Sequence, residues 1–103
     1  MKAYRYTVDG QGFLTALDDY FKPSEFFPIC WVFETKLPLP NINMEDTTSY
    51  FTEVGNKTFR KAIKKARLAY ESRGVSWTQT ITEIKDEDIL YKDRYQIITL
   101  REN

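Results

Sequence analysis

Polar and apolar positions alternate from Lys2 to Val8. Tyr4, Tyr6 and Val8 fall on one side and Ala3, Arg5 and Thr7 on the other, the period of a strand with one aromatic face. Asp9-Gly10 ends it as a turn pair. From Phe13 to Phe21 the spacing changes: Phe13, Leu14, Leu17, Tyr20 and Phe21 gather on one side of a helix, which Pro23 stops. Ser24 to Pro28 suits a short turn, and Ile29 to Thr35 is apolar at nearly every residue, which predicts a mid-sheet strand covered on both faces. Leu37-Pro38-Leu39-Pro40 fits neither a helix nor a central strand, so a long loop is predicted up to Ser49.

Helical spacing returns after Thr52, a suitable N-cap followed by Glu53 in the first turn. Phe59, Ala62, Ile63, Ala66, Ala69 and Tyr70 form one stripe, and the helix is expected to run to Arg73 and end at Gly74. Val75, Trp77, Gln79 and Ile81 then alternate with Ser76, Thr78, Thr80 and Thr82, a β-branched strand. An acidic turn follows at Lys85-Asp86-Glu87-Asp88. Ile89 to Tyr91 and Arg94 to Arg101 read as a short and a longer strand. The fold class is α+β: a mainly antiparallel sheet of four to five strands with two helices packed on it, in the order β-α-β-α-β-β.

Length changes this picture little, since 103 residues without repeat or linker form a single domain, residues 1–103. Cysteine content changes it more. The lone Cys30 lies in an apolar run and permits no internal disulfide, and no stretch approaches the ~20 apolar residues of a membrane span. No apolar signal segment follows Met1, and a cytoplasmic location is expected.

The chain has no histidine and only four glycines, none spaced as a phosphate loop. A zinc site of Cys and His is therefore excluded within one chain. Asp18 and Asp19 point about 100° apart on a helix and do not converge on one ion. Glu83-Ile84-Lys85 lacks the partner aspartate that a nuclease site needs. We expect no catalytic residue, no metal and no cofactor.

Charge adds a candidate contact. Fifteen Lys/Arg balance fifteen Asp/Glu, yet Lys57, Arg60, Lys61, Lys64, Lys65, Arg67 and Arg73 face a single acid, Glu71, between Asn56 and Gly74. At 100° per residue, Lys57, Lys61, Lys64 and Lys65 share the face opposite the Phe59 stripe, and Leu68 falls in their midst. An apolar residue in that position suits a protein interface, whereas the basic residues alone would suit a phosphate backbone. Every solvated amphipathic helix also carries some apolar residues. The acidic turn Asp86, Glu87 and Asp88 is a second candidate contact. Four strand tyrosines, Tyr4, Tyr6, Tyr91 and Tyr95, are read chiefly as core residues whose hydroxyls reach the rim.

The segment Ser49-Tyr50-Phe51-Thr52-Glu53-Val54-Gly55 with Phe59, the basic helix, and Tyr91-Lys92-Asp93-Arg94-Tyr95-Gln96 resembles small accessory proteins of phages and conjugative elements of Gram-positive bacteria. The resemblance implies a stoichiometric inhibitor of host defence, of which anti-CRISPR proteins are one kind, or a small regulator. The expected function is thus non-enzymatic: inhibition of a nucleic-acid-guided defence enzyme by protein contact. The alternative is a nucleic-acid-binding regulator using Lys57, Arg60, Lys61, Lys64, Lys65 and Arg67. A homodimer is a further option if a helix face or a sheet edge is left uncovered.

Overall fold

A computed structural model describes residues 1–101 of the chain. Its elements are β1 (Lys2–Val8), β2 (Gln11–Gly12), α1 (Leu17–Tyr20), α2 (Pro23–Lys36), β3 (Thr47–Phe51), α3 (Glu53–Thr58), α4 (Arg60–Ser72), β4 (Thr78–Glu83), β5 (Ile89–Lys92) and β6 (Gln96–Leu100). The fold is α+β, and every strand pair is antiparallel. Strand β1 pairs with β4 along one edge, from Lys2↔Glu83 to Thr7↔Thr78. Its other edge meets β2 at Thr7↔Gly12 and β3 at Tyr4↔Phe51. Beyond β3 come β6 and then β5, which makes β4 and β5 the outer strands.

The hairpin from β1 to β2 turns at Asp9 (φ 49°) and Gly10 (φ 76°), the two positive φ angles that a two-residue hairpin loop favours. On the face beneath the helices, Tyr4, Tyr6, Val8 and Phe51 pack against Phe13, Phe33, Phe59, Ile63 and Tyr70 to form the main core. The opposite face carries only a small cluster, Ala3, Ile84 and Ile97, flanked by Tyr50 and Ile89.

Three elements depart from the sequence reading. Ile29 to Thr35 is not a strand but the body of α2, so the order β-α-β-α-β-β does not hold and the sheet is completed by Thr47–Phe51, whose first three residues fell in the predicted loop. Helix α2 opens with Pro23 at its first position, and the Lys22 N–H donates to Glu25 Oε1 at 3.0 Å. Phe26, Ile29, Cys30, Phe33 and Leu37 face the core at helical spacing. Burial of that stripe outweighs the roughly 3 kcal/mol that a proline such as Pro28 costs in a helix interior. The helix expected at Phe13 to Phe21 shrinks to α1.

The third departure is a bend in the basic helix. Thr52 caps α3 as expected, its Oγ1 accepting from the Gly55 N–H at 2.9 Å. At Phe59 (φ −97°, ψ 12°) the helix axis is interrupted, while the Phe59 N–H still reaches Gly55 O and the Ile63 N–H still reaches Phe59 O. The end is as predicted. Gly74 adopts φ 73°, its N–H bonds Glu71 O, and the Val75 N–H bonds Tyr70 O, the two hydrogen bonds of a Schellman cap. Among the described residues no helix is long and apolar enough to cross a membrane.

Candidate functional site

The helical layer has an outer side as well as an inner one. Three contacts set the relative direction of α2 and α4. Arg73 at the end of α4 is ion-paired with Glu25 at the start of α2; Lys65 Nζ donates to Pro28 O at 3.4 Å; and the rings of Phe33 and Phe59 lie 5.3 Å apart. The two helices therefore run side by side in opposite directions, and Trp31, between Pro28 and Phe33, lies level with the Lys61 to Lys65 turn.

Among the predicted contact residues, Lys57, Arg60, Lys61, Lys64, Lys65, Arg67 and Leu68 are all exposed. The bend at Phe59 leaves Lys57 on α3 and the other six on α4. Arg67 is engaged by Glu71 one turn on, Nε to Oε1 at 3.2 Å. Arg73 does structural work: besides Glu25 it bonds Tyr20 O at 3.0 Å, and its guanidinium stands 4.8 Å over the Phe21 ring. Glu25 is held below the usual carboxylate range chiefly by the Lys22 N–H; burial opposes this, and the Arg73 guanidinium adds to the lowering. Lys57, Arg60, Lys61, Lys64 and Lys65 have no carboxylate partner among the described residues.

Sequence reasoning missed the apolar half of this face. Phe27 is 51% and Trp31 54% exposed on the outer side of α2, one helical turn apart, with ring centroids at 5.6 Å. Leu68, 55% exposed, stands on α4 among the lysines. Reading residues 29–35 as a strand buried Trp31 by assumption. The available signal was the helical spacing of Phe26, Ile29, Cys30, Phe33 and Leu37, which puts Phe27 and Trp31 on the other side. Cys30 itself is buried as expected, and burial first, then the nearby Glu34, pushes its thiol pKa up.

The acidic candidates lie elsewhere. Asp86, Glu87 and Asp88 form an exposed 3-10 turn, and Glu87 and Asp88 border a shallow depression on the open sheet face with Arg5, Thr48, Tyr50 and Arg101. The sheet separates this turn from the lysines, so the two candidate contacts do not combine. Among the described residues no three Cys, Asp or Glu side chains come close enough to hold a metal ion.

Three of the seven tyrosine hydroxyls are tied down. Tyr6 bonds Asn56 Oδ1, Tyr70 bonds Phe13 O at 2.5 Å, and Tyr91 bonds Asp93 Oδ2 at 2.8 Å. Burial works against the charge on Asp93. Hydrogen bonds from the Gln96 side chain, the Tyr95 N–H, Tyr91 and the Gln96 N–H outweigh it and hold the carboxyl below its usual range. These groups build the scaffold. Compared with protein families, curated proteins and solved structures, the chain matches none.

Proposed function

We propose that this protein is a non-enzymatic binding protein whose contact surface is the outer side of α2 and α4, and that it acts as a mobile-element-encoded, stoichiometric inhibitor of a nucleic-acid-guided defence nuclease. The observation that carries the binding reading is the half-exposed Phe27, Trp31 and Leu68 beside five basic side chains that have no carboxylate partner among the described residues. Tryptophan with a central apolar cluster is the composition of an interface hot spot, and a rim of lysines selects a partner patch that is acidic. The resemblance to phage and conjugative-element proteins supplies the class of partner.

The basic row would also suit a phosphate backbone, the reading of a small nucleic-acid-binding regulator. The aromatic geometry favours protein. Phe27 and Trp31 pack on one another at an interplanar angle of 43°, forming one apolar mound rather than two separated platforms for successive bases, and Leu68 has no ring to stack.

Titrating the protein into a guided nuclease and following target cleavage tests this. Wild type should stop cleavage at a stoichiometric ratio. Trp31→Ala or Leu68→Asp should weaken binding to the nuclease by about 30-fold or more, the effect of losing a hot-spot residue. Lys61→Glu with Lys65→Glu should cost less and mainly slow association at low salt. A panel of such nucleases left fully active would overturn the inhibitor reading. Tight binding to single-stranded DNA or RNA that Lys61→Glu/Lys65→Glu abolishes and Leu68→Asp leaves intact would establish the regulator instead.

A further inference from the structure

Apart from the two-residue β2, the outer strands among the described residues are β4 and β5, and they are built differently. Strand β5 carries a bulge between Ile89 and Tyr91 and ends at Lys92, both devices that discourage pairing with another chain. Strand β4, Thr78-Gln79-Thr80-Ile81-Thr82-Glu83, has neither a bulge nor a proline nor a lysine. Among the described residues it pairs with β1 alone.

Hydrogen-bond alternation fixes which of its backbone groups point outward. Met1 N donates to Ile84 O at 2.7 Å and the Ile84 N–H to Met1 O at 2.8 Å, so Met1 and Ile84 are a hydrogen-bonded pair. Pairs alternate along an antiparallel ladder. Thr82, Thr80 and Thr78 therefore bond to β1, whereas Glu83, Ile81 and Gln79 turn their N–H and C=O groups away from it. The other end of the ladder agrees: Tyr6 O accepts from the Phe13 N–H on the far edge of β1, so its partner Gln79 is not bonded to it.

We propose that β4 pairs antiparallel with β4 of a second copy of this chain, about a two-fold axis at Ile81. This is the one register that uses all three outward-facing residues. Ile81 exchanges two hydrogen bonds with its symmetry mate, and Gln79 exchanges two with Glu83 on each side of the axis. The side chains fit the same register. Ile81, 52% exposed in the monomer, meets itself; the Gln79 amide meets the Glu83 carboxylate rather than a like charge; and Thr80 meets Thr82 on the open face. The proposal is independent of the α2 and α4 contact, which lies over the helical layer.

Sedimentation equilibrium over a wide concentration range tests it, with mass expected to rise from 12.2 kDa toward twice that value. Ile81→Lys puts like charges on the axis and should hold the protein at monomer mass with its unfolding transition retained. Cysteine placement checks the register. Ile81→Cys should cross-link under mild oxidation, since directly opposed Cα atoms sit about 5.5 Å apart, within disulfide range. Gln79→Cys should not, because four residues of strand, roughly 13 Å, would separate the two thiols. Wild type remaining monomeric to about 1 mM, Ile81→Lys remaining dimeric, or equal cross-linking of the two cysteine variants would each overturn the proposal.

Discussion

The inner and outer sides of the helical layer treat large side chains in opposite ways. On the inner side Phe59, Ile63, Ala66 and Tyr70 are buried against the sheet, and Gly55 leaves no space for even a methyl group. On the outer side Phe27, Trp31 and Leu68 keep about half their surface in water. Full burial of such a side chain contributes about 1.5–3 kcal/mol, so the outer residues forgo much of what the inner ones gain. The difference separates roles: the inner side holds the fold, and the outer side carries apolar area that the monomer itself leaves half-exposed.

The sharpest test of the inner side is Gly55→Ala. A Cβ there would stand 2.0 Å from Tyr95 O and 2.8 Å from its carbonyl carbon, both backbone atoms that no rotamer change can move. Displacing them would pull on Thr52, whose N–H bonds Tyr95 O at 3.0 Å and whose Oγ1 bonds Arg94 O at 2.6 Å. Alanine is favoured over glycine in a helix by only about 1 kcal/mol. We expect a net loss above about 4 kcal/mol, enough to erase the cooperative unfolding transition followed by tryptophan fluorescence. A variant as stable as wild type would show that α3 does not press on Tyr95.

Tyr70 gives a smaller effect, and it depends on pH. Burial, then Asp19 and Asp18, pushes its phenol from 10.0 to about 12. A pKa raised by folding means the native state favours the protonated form. Its contribution is complete below pH 10, where the unfolded chain also keeps the proton, and is lost as pH rises to about 12. A shift of this size corresponds to roughly 3 kcal/mol. Tyr70→Phe should lose about 1 kcal/mol at pH 7 with its hydrogen bond to Phe13 O, and should fall less steeply than wild type above pH 10. Parallel stability curves in urea for the two proteins between pH 9 and 12 would contradict this account.

Legibility followed the same division. The turn at Asp9-Gly10, the Thr52 cap, the Gly74 stop and the inner stripe of α4 were readable because each rests on local chemistry or on a pattern with one wet and one dry face, whereas the short strand β2 that makes the turn a hairpin was not. Helix α2 was not, since Phe27 and Trp31 fill the positions where polar residues would have marked a helix, and Pro23 and Pro28 looked like breaks. The bend at Phe59 left no mark either, because Gly55 and Phe59 read as ordinary helical positions until Tyr95 and the aromatic core around Phe33 and Phe51 are placed beside them. The basic residues of the candidate site were legible and its aromatic half was hidden.

The smallest effect on stability is expected on the outer side, and its smallness is the point. Trp31→Ala removes a ring that packs mainly on Phe27 and exchanges a moderate helix former for the best one, so a loss of no more than about 1 kcal/mol is expected. Leu68→Ala should stay within about 0.5 kcal/mol. Phe59→Ala on the inner side should cost about 3–5 kcal/mol by leaving a cavity among Phe33, Phe51 and Tyr95. Urea denaturation of the three variants measures the contrast. Trp31→Ala as costly as Phe59→Ala would make Trp31 part of the core and remove the reason for assigning it to a partner; near-neutrality would leave its exposed ring without a structural purpose inside the monomer.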